Sequence, residues 1–308
     1  MSVSRPIARR QNDEPSLTLL RAIAVVHRST QHAQALSLVL SAVVAALGLL
    51  TVAFPAAAAP VALVGAAWAV VYATAIVPWA GRHLRTSATL QEMFDVRLFG
   101  LPWNQVAVGD RLSEDEVSRL SRRFRGREER LRDYYLVAAL PAPLDVLFCL
   151  EQNLAWGSRV RRRFAHLMIA VVVLWCAVGV LLAIAEGSTV VQLISGWLIP
   201  SLGLLLLCVD TYRAQMSNTD ERTRVLGLLR AVSADAGSPP AVSGPEFVGF
   251  ARQIQDVLFH IRRQQPRMPS WFFWRFHDSD LADFRFRMRE LEAGVGRGDQ
   301  VARQPSPH

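Results

Sequence analysis

Four apolar runs, each about as long as the roughly 20 residues a helix needs to cross a hydrocarbon core, dominate this sequence. They extend from Ala35 to Phe54, Pro60 to Trp79, Phe164 to Ala185 and Val190 to Val209. Only Pro55 to Ala59 separate the first two, and Glu186, Gly187, Ser188 and Thr189 separate the last two. The pattern predicts two tight helical hairpins in a membrane. With 51% hydrophobic residues and a mean hydropathy of +0.22, the chain has the composition such a plan requires.

Orientation follows from the basic residues. There is no lysine, and the 34 basic residues are all arginine. Five lie before the first run, fifteen between the second and third, fourteen after the fourth, and none in either hairpin turn. Arginine-rich flanks stay on the cytoplasmic side, so an inner-membrane protein with both termini and the central loop inside is expected. Trp79 and Tyr212 suit an interfacial belt. The start MSVSRPIARRQNDEPS is polar and is not read as a signal peptide.

The runs themselves hold no Asp, Glu or Arg, and His166 sits at the edge of the third. Proton relays and ion-coupled transporters place ionisable groups at membrane depth. Here the polar content is Ser37, Ser41, Thr51, Thr74, Gln192, Ser195 and Ser201. Two readings stand: ordinary helix packing through small residues, or a weakly polar seam that lines a pore once protomers assemble. Gly196, Pro200 and Gly203 are placed to kink the fourth span.

The segments predicted as cytoplasmic are patterned as helices. The expected organisation is an N-terminal segment 1–34, hairpin one at 35–80, a helical loop at 81–163, hairpin two at 164–210, a helical tail at 211–295 and a disordered end at 296–308. Leu90, Met93, Phe94 and Leu98 recur at helical spacing until Gly100 and Pro102. Ser113 and Glu116 form a capping box that opens a helix with the stripe Val117, Leu120, Phe124 and Leu131. Leu144, Leu147, Leu150 and Leu154 form another stripe after Pro143. The fourth span continues to about Asp235. Phe247, Phe250, Ile254, Leu258 and Ile261 mark an amphipathic helix. Aromatics from Trp271 to Phe276 follow, and a last helix carries Leu281, Phe284, Met288 and Leu291. No stretch alternates as a strand, so the fold class is all-α integral membrane protein.

Chemistry is absent where an enzyme would need it. There is no phosphate-binding or dinucleotide glycine loop, no GxSxG elbow and no HExxH. Cys149, Cys176 and Cys208 are scattered, giving neither a disulfide framework nor a zinc site. Glu114, Asp115 and Glu116 occupy a first helical turn, where acids complement the dipole. We therefore expect no enzyme, no metal and no resident cofactor.

The stretch Gln91-Glu92-Met93-Phe94-Asp95-Val96-Arg97-Leu98-Phe99-Gly100-Leu101-Pro102-Trp103-Asn104 resembles the QExFDxxVFxLPWN signature of the SMODS-associating four-transmembrane effectors. Two looser segments are similar to the same family: Gln152-Asn153-Leu154-Ala155-Trp156 through Phe164, and Ile254-Gln255-Asp256 through Arg263 with Met268-Pro269-Ser270-Trp271. Glu151 and Gly157 depart from the family's arginine and aspartate.

The resemblance implies a bacterial defence effector in which a nucleotidyltransferase makes a second messenger and the effector then damages the membrane. Expected partners are the lipid bilayer, further copies of the chain and a cyclic oligonucleotide from an associated nucleotidyltransferase; DNA binding is not expected. Arginine binds phosphate bidentately and aromatics stack on bases. On that ground Arg97, Trp103, Asn104, Arg159, Arg161 and Arg262 are the candidate nucleotide-binding residues. Other roles remain open: Trp103 as a loop anchor, Arg159 to Arg163 as topology or anionic-lipid contacts, and Asp95 as a local cap or pair. The alternative function is a membrane-anchored signalling or scaffold protein. A small transporter is disfavoured by the missing intramembrane charge and the lack of an internal repeat.

Overall fold

A computed structural model describes residues 6–137, 142–235, 245–266, 268, 269, 271, 272, 275 and 276. Among these, every regular element is helical. The predicted last helix at Leu281 to Leu291, Phe273, Trp274 and the segment 296–308 lie outside the described residues.

Helix α1 (Ile7–Arg10) leads into α2 (Glu14–Ala53). Asp13 caps α2 by accepting from the Ser16 N–H at 3.0 Å, and Pro15 in the first turn forfeits no intrahelical bond. At 40 residues, α2 is about 60 Å long. That is roughly twice the hydrocarbon thickness of a bilayer. The first span is thus one end of a helix whose other end, from Glu14, belongs to the arginine-rich side.

A 3₁₀ turn (Pro55–Ala57) reverses the chain into α3 (Ala58–Val71), a π-turn (Tyr72–Ile76) and α4 (Val77–Phe99). Gly100 stops α4 at φ 68°, left-handed as expected of a glycine C-cap, and the Leu101 N–H returns to the Val96 carbonyl at 3.2 Å. Helix α5 (Gln105–Val108) is one turn. Helix α6 (Glu114–Ser121) opens on Ser113, which accepts from the Glu116 N–H at 3.3 Å.

The predicted long stripe from Val117 to Leu131 does not form a single helix. Helix α6 ends at Ser121, and a 3₁₀ turn (Glu128–Arg130) follows. Seven arginines between 119 and 132 repel one another, and Gly126 interrupts them.

Helix α7 (Leu144–Ala155) buries Leu147, Leu150 and Leu154. Gly157, at φ 70°, separates it from α8 (Ser158–Ala185). The link takes a left-handed residue at the position where the family pattern has aspartate, and glycine supplies that conformation most readily. Thr189 and Gln192 form a reciprocal capping box that starts α9 (Val190–Leu193). A π-turn (Ile194–Leu198) then precedes α10 (Ile199–Asp235), and α11 (Pro245–Gln264) follows.

Four helical runs are long and apolar enough to cross a membrane, and they form the two hairpins. Their lipid-facing sides expose Leu36, Leu63, Leu174, Leu181, Ile184 and Val191. Four of their polar groups point the other way, whereas Thr74 and Gln192 are exposed. Ser37, Ser41, Thr51 and Ser201 are buried within the bundle. Trp68 Nε1 donates to Ser41 at 2.8 Å in the first hairpin, and Trp175 Nε1 donates to Ser201 at 2.7 Å in the second.

Glycines bring the hairpins together. A Cβ at Gly65 would lie 2.5 Å from Pro200 Cα and 2.9 Å from the Ile199 carbonyl. Each π-turn ends two residues before a proline, Pro78 or Pro200. Proline lacks an N–H and its ring crowds the carbonyl four residues back, which a widened turn relieves. Pro200 leaves the Gly196 carbonyl without its helical donor, and Thr51 Oγ1 lies 3.5 Å from it.

Candidate functional site: a buried polar brace and an adjoining groove

The QExFD stretch places Glu92 and Asp95 one turn apart on α4. Both are essentially sealed from solvent, at 0% and 1% exposure. Helix α11 meets them with Arg252, Gln255 and Arg262, spaced to share one face. Arg262 Nη1 donates to Asp95 Oδ2 at 2.7 Å. Gln255 Nε2 bridges the acids, 2.9 Å from Glu92 Oε2 and 2.9 Å from Asp95 Oδ2. Arg252 pairs with Glu92 and, at 2.9 Å, with Asp256, and it donates to the Pro102 carbonyl at 3.1 Å.

The brace extends beyond the two helices. The Tyr135 hydroxyl donates to Asp95 Oδ1 at 2.5 Å and accepts from Asn153 Nδ2 at 2.7 Å. Gln11 clamps the Tyr135 backbone from both sides, accepting from its N–H at 2.8 Å and donating to its carbonyl at 3.2 Å. Gln152 accepts from the Leu136 N–H and donates to the Tyr134 carbonyl, while Gln91 donates to the Tyr134 hydroxyl. Phe94 packs on both tyrosine rings. Leu101 is buried beside them. One acid, Asp95, therefore joins α4, α11 and the 134–136 segment directly, and α7 through Tyr135 and Asn153. It pairs with a residue 167 positions away rather than locally as expected.

Burial pushes the Glu92 carboxyl above its ordinary value, with the Arg252 charge only partly offsetting it. Burial likewise drives the Tyr135 phenol well up, and the Asp95 charge adds to this, so the phenol stays a donor. For Arg262, burial pulls downward but Asp95 more than reverses it, so the guanidinium stays charged. Paired charges at such depth contribute directional fit more than net stability.

The six candidate nucleotide-binding residues do not assemble into one place. Arg262 is 5% exposed and committed to Asp95. Asn104 caps α5 through Oδ1 and donates from Nδ2 to Asp256 at 2.9 Å. Arg159 and Arg161 belong to the first turns of α8, with Trp156 just before them at the end of α7. Pro269 and Trp271 lie with the aromatic segment further along.

Arg97 and Trp103 do converge. With Arg111 they border a groove of about 550 Å³ between α2, α4 and α6, floored by Leu19 and Met93 and edged by Glu114. Trp103 Nε1 donates to the Gly109 carbonyl at 2.9 Å, and the Arg111 guanidinium lies 4.8 Å from the Trp103 ring centroid. Arg97 reaches the capping acid Asp13 at 3.2 Å across the rim.

Sequence reasoning missed Glu92, Arg252, Gln255, Tyr135 and Gln11 as functional positions. The available signal was polar residues on the otherwise apolar side of α11, facing acids one turn apart on α4. The family departure at Glu151 also has a partner: Glu151 pairs with Arg230 of α10 at 3.0 Å. No group of three or more His, Cys, Asp or Glu able to hold a metal occurs among the described residues.

The SMODS-associating 4TM effector domain profile matches residues 5–291. A protein of Bacillus cereus (strain VD146) described as a probable CBASS effector molecule is 23% identical over 280 residues, covering 88% of this chain and 93% of that protein. No solved structure matches.

Proposed function

The chain belongs to the SMODS-associating 4TM effector family, and from that premise we propose that it is the membrane effector of a bacterial antiphage defence system. In this reading, a nucleotide second messenger binds on the arginine-rich, cytoplasmic side, and several protomers then open or disrupt the inner membrane. The observation that carries the reading is the junction of the groove with the spans. Its walls include α2 and α4, and both helices run on into the first hairpin. A ligand that spreads the groove acts on the ends of rigid levers whose far ends lie in lipid.

The groove has suitable chemistry for such a ligand. Arg97 and Arg111 offer guanidinium forks for phosphate, and Trp103 offers a ring for a base. Its volume falls within the several-hundred-Å³ range of small-molecule sites. Asp13, now on Arg97, is the group that phosphate would displace. Ser37, Ser41 and Ser201 are turned into the protomer's own bundle, so a conduit needs surfaces shared between copies. No step requires bond making or breaking by the effector.

The test is dye release from vesicles carrying the purified chain, challenged with a panel of cyclic di- and trinucleotides. Release with one member, absent without nucleotide and lost in Arg97→Ala with insertion intact, is the expected outcome. No binding and no release across the panel, with recruitment of a protein partner instead, would sink the pore reading in favour of a membrane-anchored scaffold.

A further inference from the structure

The chain returns to the membrane after α11. Gln215 Nε2 of α10 donates to the Pro266 carbonyl at 2.9 Å, and Arg222 Nη2 donates to Gln265 Oε1 at 3.3 Å, which turns the tail toward the spans. Met268 and Phe272 are then buried in one apolar cluster with Phe164 and Met168 of α8 and Leu207 and Cys208 of α10. Those residues of α8 and α10 are the first and last turns of the third and fourth spans. Phe272 lies 5.1 Å from the Phe164 ring, centroid to centroid. The segment therefore sits at the level where hydrocarbon gives way to headgroups on the arginine-rich side.

Its outer face is neither plainly aqueous nor plainly apolar. Trp271 is 68% exposed, edge-on to the buried Phe272 at 5.6 Å. Beside it, the Arg163 guanidinium lies 4.9 Å and the Arg275 guanidinium 5.7 Å from the centroid of Phe276. An arginine stacked on a ring still presents N–H groups at its edge, in the geometry that takes phosphate oxygens. A tryptophan exposed at the depth of the span ends has the amphipathic character of an interfacial residue.

We propose that Trp271, Arg163, Arg275 and Phe276 form a membrane-interface anchor that inserts the indole among the headgroup-proximal segments of the acyl chains and binds the phosphates of anionic phospholipids. The position next to lipid-facing span residues favours this occupant over a soluble one, because the patch continues the surface the bilayer already covers. The anchor fixes the tail just after α11. That helix is thereby held at one end by lipid and along its length by Glu92 and Asp95. The inference stands apart from the nucleotide reading and does not depend on it.

The test uses the intact protein in vesicles with brominated acyl chains. The emission that disappears in Trp271→Phe, conservative at an exposed site, isolates Trp271 from the other seven tryptophans. Quenching of that component, stronger with bromine near the headgroup than near the bilayer centre, is expected. Quenching by aqueous iodide instead, or protection from both quenchers, would overturn the anchor; protection from both would indicate a protein contact.

A second measurement separates the phosphate sources. Replacing phosphatidylcholine by phosphatidylglycerol in nanodiscs should raise the thermal midpoint of the intact protein. The Arg163→Gln/Arg275→Gln variant should lose that rise. An equal rise in the double variant, or in phosphatidylcholine discs given free glycerol phosphate, would refute headgroup binding.

Discussion

The arginine-rich unit and the membrane hairpins are held together by different means. In the former, Asp95 alone accepts from Tyr135, Gln255 and Arg262. In the latter, α3 meets α10 through Gly65 against Pro200, and a single Trp–Ser hydrogen bond lies within each hairpin. Water is a strong competitor for polar groups, so the buried carboxylates of the brace are each partnered by α11, although Arg252 Nε and Gln255 Oε1 have no hydrogen-bond partner among the described residues. Lipid does not compete for polar groups, but it gives little push toward association, so close backbone approach matters more. The brace specifies a geometry through directional bonds, and the hairpins through close backbone approach.

The largest effect should come from breaking the brace at its centre. Asp95→Ala leaves Arg262 charged and buried without its partner, a loss of about 3–5 kcal/mol, read as a fall in the thermal midpoint in detergent. Adding Arg262→Met should recover much of it, because the uncompensated charge goes. Additive losses would mean the pair is not coupled. Gly65→Ala should be next, about 1–3 kcal/mol for overpacking against Pro200 backbone atoms. If it is neutral, the hairpins are not in close contact there.

Glu92 allows a pH test. Its folded-state value is raised above 4.5, so its contribution to stability is present below 4.5 and fades as pH rises toward the folded value. The slope cannot exceed about 1.4 kcal/mol per pH unit for one proton. Glu92→Gln should flatten that part of the stability–pH curve, and an unchanged slope would mean Glu92 is not its source. The smallest effect is expected for Trp68→Phe, about 0.6 kcal/mol, typical of a hydrogen bond between membrane helices. A much larger loss would mean the Trp–Ser bonds, rather than the glycines, hold the hairpins.

Local signals were legible in the sequence and distant pairings were not. The spans, the Gly100 stop, the Ser113 cap, the end of α10 at Asp235 and the apolar face of α11 all follow from hydropathy, periodicity and capping chemistry that act within a few turns. Asp95 looked local because nothing in one sequence marks Arg262, 167 positions away, as its partner. Tyr135 lies in a segment without regular structure, so no periodicity drew notice to it. The stripe through Phe124 and Leu131 misled because helical spacing alone takes no account of seven neighbouring arginines. Within the groove, Arg97 and Trp103 were visible through the QExFDxxVFxLPWN resemblance, whereas Arg111 belongs to a loop and is brought there only by the fold.

The paired π-turns carry a consequence for movement. A π-turn accommodates one residue more than the α-helical count, and one residue corresponds to about 100° of rotation. Shifting such a turn along its helix would turn everything on one side against the other, like a thread advanced in its nut. The two turns lie at different depths, Tyr72–Ile76 near the arginine-rich end of the second span and Ile194–Leu198 near the far end of the fourth. Twisting the first would re-aim the part of α4 that bears Glu92 and Asp95, and twisting the second would re-aim the face of the fourth span that meets Thr51 and Gly65.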